Sequence, residues 1–358
     1  MTVPFWPEKY RTFNYRRIGL ALAVGLMGGL VFSYLSTPMP FMLGPLFACL
    51  VAALATAPVA SPMALRPPMT AMIGVMMGAG YSPGVLAHLS SWAMSLAGLL
   101  FFMVVAGAAS VAYFRYVARY DFATAYFAGM PGGLVEMVVI GEQSGADMRK
   151  VALAHAGRIV FTVFTVPFIV QWIEGPIDRA IAADVSLLDM DKAAYLWLTV
   201  CVLGGLILGR FVKLPAPYLL GPMAISVVVH IAGWSSFKPP WELIVAAQLV
   251  LGTAIGCRFA GSRTQEVLRS LVVSLGATLL LVCLSLGFAW AVAQLSDYSV
   301  TELLLAYSPG GLAEMGLLAL GLQLEVALVS THHLVRIMLV VLGATLLMPL
   351  FGIKRRIQ

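Results

Sequence analysis

Charge is scarce in this chain. Only 11% of its 358 residues are Asp, Glu, Lys or Arg, against 61% hydrophobic. Soluble domains carry about 25% charged residues, so a water-soluble globular fold is excluded. No polar stretch is long enough for a DNA-binding module, and the net charge of +6 is therefore no nucleic-acid signature. Its Lys and Arg sit in short clusters between apolar segments, as topology signals do. Cysteine is scarce too: Cys49, Cys201, Cys257 and Cys283 fall in or at the ends of apolar runs. Without metal-ligand spacing they read as small packing residues. There is no Walker loop, no Rossmann glycine pattern beside a strand, no nucleophile elbow and no open His cluster. Neither an enzyme activity nor a metal or other cofactor is indicated.

What the chain has is apolar length. A mean hydropathy of +0.94 makes it an all-α polytopic membrane protein, to be divided into spans of about 20 residues. Residues 1–17 are polar, aromatic and basic, and the next apolar run shows no small-residue cleavage site before Pro38. The N-terminus therefore reads as a retained first span. Apolar segments recur on either side of one acidic interval, 174–192, which divides residues 1–173 from 193–358.

The two parts repeat each other. Met130-Pro131-Gly132-Gly133-Leu134-Val135-Glu136-Met137 returns 178 residues later as Ser308-Pro309-Gly310-Gly311-Leu312-Ala313-Glu314-Met315. Pro38-Met39-Pro40 with Leu43-Gly44-Pro45 matches Pro215-Ala216-Pro217 with Leu220-Gly221-Pro222, and Gly74-xxx-Gly78 matches Gly252-xxx-Gly256. His155-xx-Arg158 matches His333-xx-Arg336. Glycines at this spacing let membrane helices approach closely. Pro45 and Pro222 are expected to open helices whose free N–H groups face inward, or else to mark tight turns between spans.

A Pro-Gly-Gly inside hydrocarbon frees backbone groups that protein or water must satisfy. Matched breaks in two halves point to a site at the repeat interface, which assigns Pro131, Gly132, Gly133, Pro309, Gly310 and Gly311 to it. The positive-inside rule tests whether these segments cross. With six crossings per half, thirteen of the twenty loop Lys and Arg lie on the N-terminal side; if each Pro-Gly-Gly segment enters and leaves on one side, seventeen do. The count selects inverted halves, each of five transmembrane helices plus one broken or re-entrant element. Both termini are then cytoplasmic.

Glu136 and Glu314 are carboxylates inside apolar segments. They either bind a proton, a cation or a cationic group, or hold the broken backbone through its free amides. Arg158 and Arg336 are the basic residues embedded in spans, each on one helical face with His155 or His333. They either recognise an anionic substrate group or pair with Glu136 and Glu314 between transport states, or else form permanent Glu–Arg pairs while each histidine caps a backbone carbonyl.

The repeated Pro-Gly-Gly-Leu-x-Glu-Met with its following His-xx-Arg resembles the bacterial "AbrB duplication" membrane family, across essentially the whole chain. Its labels, ammonia monooxygenase and AbrB family regulator, imply ammonia oxidation or regulation of gene expression. The residues supply neither with a mechanism. They point instead to a secondary transporter of the inner membrane for a small molecule or ion, with the lipid bilayer as its medium and no nucleic-acid partner. A membrane regulator acting through a partner is the alternative, and an ammonia-oxidising enzyme a distant third. Glycine-rich spans leave room for a homodimer.

Overall fold

The computed structural model describes residues 14–347 apart from 89, 131, 133, 176–184, 215 and 239. The expected termini, Pro131, Gly133 and part of the acidic interval lie outside the described residues. Fourteen α-helices are described, and no strand is found among the described residues. The first seven are α1 (Tyr15–Tyr34), α2 (Pro40–Leu54), α3 (Arg66–Gly78), α4 (Trp92–Ala112), α5 (Phe122–Gly129), α6 (Leu134–Gln143) and α7 (Met148–Glu174). The rest are α8 (Lys192–Phe211), α9 (Pro217–Ile231), α10 (Trp241–Gly256), α11 (Thr264–Ala293), α12 (Val300–Tyr307), α13 (Leu312–Gly321) and α14 (Val326–Leu347). Six helical stretches, including α7, α10 and α11, are long and apolar enough to cross a bilayer. The chain is accordingly a multi-pass membrane protein.

Burial separates the long helices. In the apolar windows of α1 and α8 only 28% and 22% of residues are buried, against 61% in α7 and α10. The first pair therefore lines the periphery and the second the centre.

The helices α2, α3, α9 and α10 cross-pack: α2 lies on α10, and α3 on α9. The reason is steric. A side chain on Gly74 would strike the carbonyl of Leu219, and one on Gly252 would strike that of Met42. One turn on, Gly78 faces Met223 and Ser226, while Gly256 faces Leu46 and Cys49. Each half's glycine pair thus admits the backbone of the other half's helix. With no hydrophobic drive between helices in lipid, such close packing supplies much of their association.

The Pro-x-Pro segments need one correction. Pro45 and Pro222 do not open helices. Pro40 and Pro217 do, at the first helical position, where a fixed φ and a missing N–H cost nothing. Met39 and Ala216, preceding them, both adopt the left-handed conformation with φ of 45° and 50°. That kink sets each helix start five residues earlier than expected and carries Pro45 and Pro222 into the helix bodies.

Each Pro-Gly-Gly segment is a broken helix. The pieces α5 and α6 have 8 and 10 residues, as do α12 and α13. Eight residues rise about 12 Å, well short of the roughly 30 Å hydrocarbon core. Asp121 caps α5 through the Thr124 N–H at 3.0 Å, and Ser299 caps α12 in a capping box with Glu302. The Asp147 N–H donates to Thr124 Oγ1 at 2.9 Å, and the Lys150 ammonium lies 5.5 Å from the Tyr120 ring centre. The entry to α5 and the exit from α6 are therefore neighbours.

Asp147 itself caps α7, accepting from the Arg149 and Lys150 N–H groups at 3.1 Å each. Burial alone would raise its carboxyl, but the Lys150 and Arg149 amides and the Lys150 ammonium hold it below its ordinary value. A lowered folded value means the cap's contribution is complete above about pH 4 and is lost as pH falls through that value. Asp147→Ala should cost about 1 kcal/mol at neutral pH, a difference from wild type that narrows in acid when thermal unfolding is followed in detergent. Gly74→Val and Gly252→Val should each lower the unfolding midpoint by several degrees, at a cost of roughly 1–3 kcal/mol. Gly287→Ala, with nothing within 4 Å of its added methyl, should leave it unchanged.

Candidate functional site

The break after α5 leaves carbonyls with no helical partner, and α7 supplies the donors. Arg158 Nη1 donates to the Met130 carbonyl at 3.1 Å, and Nη2 to the Gly132 carbonyl at 3.2 Å. One turn earlier, His155 Nε2 lies 2.8 Å from the Phe127 carbonyl. Arg158 Nη2 also donates to His155 Nδ1 at 2.8 Å. A guanidinium only donates, so Nδ1 accepts and the proton of a neutral imidazole sits on Nε2, where Phe127 needs it.

The second half repeats the contacts to backbone carbonyls residue for residue. Arg336 donates through Nη1 to the Ser308 carbonyl and through Nη2 to the Gly310 carbonyl. His333 Nε2 meets the Leu305 carbonyl at 2.9 Å. Every partner stands 178 residues after its counterpart. Here the arginine makes no bond to its histidine, and His333 Nδ1 is buried without a partner. Arg336 also lies within electrostatic reach of Arg158. A side chain on Gly132 would collide with Val340 of α14, which packs the first break against the second half.

Of the two alternative Glu–Arg pairs, the one between Glu314 and Arg336 is not formed among the described residues. Arg158 and Arg336, 6% and 4% exposed, spend their forks on carbonyls. Among the described residues, ion pairs such as Arg149–Glu266 and Lys150–Asp147 lie at the surface. Glu314 stands third in α13, 6% exposed, and makes no hydrogen bond or ion pair among the described residues. Its carboxylate fills the space that a side chain on Gly311 would need, beside the positive end of the helix dipole. Pro309 and Gly310 complete that break, with Gly310 against Met315. Glu136 holds the same third position in α6, while its side chain lies outside the described residues.

One charged group escaped the sequence reading. Arg258, counted above as a loop cation, continues the apolar run of α10 as a short 3-10 turn, Cys257–Phe259. It lies within electrostatic reach of Glu314, and its Nη1 is buried without a partner. The unbroken apolar run through Phe259 was the available signal. His332 is bound locally, to the Leu328 carbonyl at 2.8 Å and Ser95 Oγ at 3.0 Å. A cavity of about 580 Å³ between α4, α5 and α14 reaches Met130 and Val340 at the first break. Another, of about 230 Å³, lies where Pro38-Met39-Pro40 meets the far end of α13 at Gly321.

The family described as "Transition state regulatory protein AbrB" matches residues 41–352. The chain belongs to the AbrB family. Among similar proteins, "Uncharacterized protein YhjN" of Bacillus subtilis (strain 168) is 27% identical over 284 residues, covering 75% of this chain and 74% of that protein. "Putative regulator AbrB" of Escherichia coli (strain K12) is 24% identical over 328 residues, covering 90% and 93%. The AbrB match begins in α2 and runs beyond α14, so both clamps lie within it.

A lysine offers no planar fork and leaves one carbonyl of each break unserved, at about 1–3 kcal/mol. Arg158→Lys and Arg336→Lys should lower the detergent unfolding midpoint, and Arg336→Met should lower it further. Glu314→Gln should cost much less, which a Glu314–Arg336 pair would not allow.

Proposed function

We propose that the chain is a secondary transporter of the bacterial inner membrane, moving a small solute through a site at the interface of its halves. The observation that carries this reading is the pair of arginine-clamped breaks. Both discontinuous helices are held at their carbonyls by an arginine at the matching position, and the two guanidiniums lie within electrostatic reach of each other. Discontinuous helices meeting at a repeat interface are the usual seat of a transported solute. The halves are 1–173 and 193–358, inverted, with five crossings and one re-entrant element each and both termini cytoplasmic. The contact between Asp147 and Thr124 supports re-entry, and the reciprocal packing of α2 on α10 and α3 on α9 supports a two-fold relation. No catalytic step belongs to this reading.

In this scheme Arg158 and Arg336 stay on their carbonyls and keep the breaks open. Glu314, at a helix start and without an ion pair among the described residues, and Glu136 at the matching position take up and release the coupling proton or cation. A regulator that binds the same ligand without moving it is the alternative raised by the family description and by the name of the Escherichia coli relative. It would need a partner docked on short loops.

Proteoliposomes carrying a pH gradient and a panel of small solutes test the proposal. Gradient-driven uptake should fall at least tenfold in the Glu136→Gln, Glu314→Gln double variant. Undiminished uptake would remove the glutamates from coupling, and no uptake of any solute by the wild type would favour the regulator.

A further inference from the structure

The cavity of about 580 Å³ beside the first break is apolar along most of its length and cationic at one end. Its walls are α4, α5 and α14, and apart from Arg115 and two tyrosines its lining is apolar. The stretch Trp92–Val117 is peripheral, 33% buried in its apolar window, and Leu100 and Val104 of the lining are 50% and 69% exposed. The cavity is therefore a groove open to hydrocarbon along α4. Two glycines on facing helices keep it open. A side chain on Gly343 of α14 would meet nothing within 4 Å at its Cβ, and one on Gly107 of α4 only the Met130 sulfur at 3.9 Å.

The cationic end has a local cause. Past Ala112 the helix widens into a π turn, Tyr113–Val117, a form frequent at functional sites. It places Arg115 and Tyr116, both exposed, at the rim of the groove. Arg115 Nη1 donates to the Tyr120 carbonyl at 2.9 Å, which steadies the guanidinium and leaves the rest of its five donors. Arginine among Tyr113, Tyr116 and Tyr120 is the composition of a membrane–water interface. The nearby carboxylates Asp121 and Asp147 are spent on capping α5 and α7. From Leu100 to Arg115 the helix rises about 22 Å, more than the roughly 15 Å of hydrocarbon in one leaflet.

We propose that this groove binds one anionic phospholipid, with an acyl chain along α4 between Gly107 and Gly343 and the phosphate on Arg115. A guanidinium grips phosphate bidentately, and basic pockets between spanning helices collect anionic head groups. The duplication does not repeat the site. At the 178-residue offset Gly107, Arg115 and Gly343 become Ser285, Ala293 and Thr165, and Ser285 turns its hydroxyl to the Tyr307 carbonyl at 3.3 Å. A bound chain lies against Met130, whose carbonyl Arg158 clamps, and Val340, which packs on Gly132. The lipid thus backs the first break. This site is separate from the solute site and stands whether or not the chain transports.

Native mass spectrometry of the delipidated full-length protein in detergent tests it. The probes are phosphatidylglycerol, phosphatidylcholine with the same acyl chains, and sodium glycerol phosphate. One saturable phosphatidylglycerol per chain is expected, held about fivefold more tightly than phosphatidylcholine, the contribution of one interfacial cation. Arg115→Gln should abolish that preference and Arg115→Lys keep most of it. Gly343→Leu and, independently, Gly107→Leu should weaken both phospholipids several-fold by filling the groove. Should neither glycine variant fold, the Arg115 pair decides alone. No saturable phospholipid, undiminished binding in both filled grooves, a preference that persists in Arg115→Gln, or equal binding of glycerol phosphate would each overturn the proposal. So would a wild-type dimer that either glycine variant dissociates, since the groove would then belong to a second copy.

Discussion

Two guanidiniums bonded to the carbonyls of two broken helices are the constraint on which the remaining structure depends. A break in hydrocarbon cannot turn to water for its hydrogen bonds. Arg158 and Arg336 each serve two carbonyls from one planar group, and His155 and His333 serve a third one helical turn away. A histidine three residues before an arginine does this because both then face the same way on α7 or α14. The arrangement fixes how far each long helix stands from its broken neighbour. It also brings permanent positive charge to the centre, where the bilayer favours none.

That charge can be central only because the helices around it pack closely. Gly74 and Gly78 let α3 onto α9, and Gly252 and Gly256 let α10 onto α2, so each half is completed by the other. The left-handed residues Met39 and Ala216 start α2 and α9 at the angle this exchange needs. Structure and chemistry thus share one interface: Arg258 lies within electrostatic reach of Glu314, and Arg336 within reach of Arg158.

Much of this was legible in the residues. The duplicated Pro-Gly-Gly announced broken helices, the glycine spacing announced close approach, and the His-xx-Arg pairs announced buried polar faces. The partners were not legible. Matching counts of Glu and Arg left ion pairs open, yet the arginines serve carbonyls, because a freed backbone group 26 or 28 residues earlier lies opposite the fork. Helix starts at Pro40 rather than Pro45 depended on a φ of 45° at Met39, which composition does not encode. Arg258 was hidden by its place at the end of an apolar run, where a cation ordinarily reads as a loop signal.

The residues alone determined that this is a helical membrane protein built by duplication, with a polar interruption repeated in each half. Hydrophobic length, proline, glycine and embedded charge are local properties that act through the chain's own backbone. Only the tertiary structure decided who answers each interruption. Hydrogen-bond partners far apart in sequence meet through packing, and packing decides which of several chemically suitable groups arrives within 3 Å of a freed carbonyl.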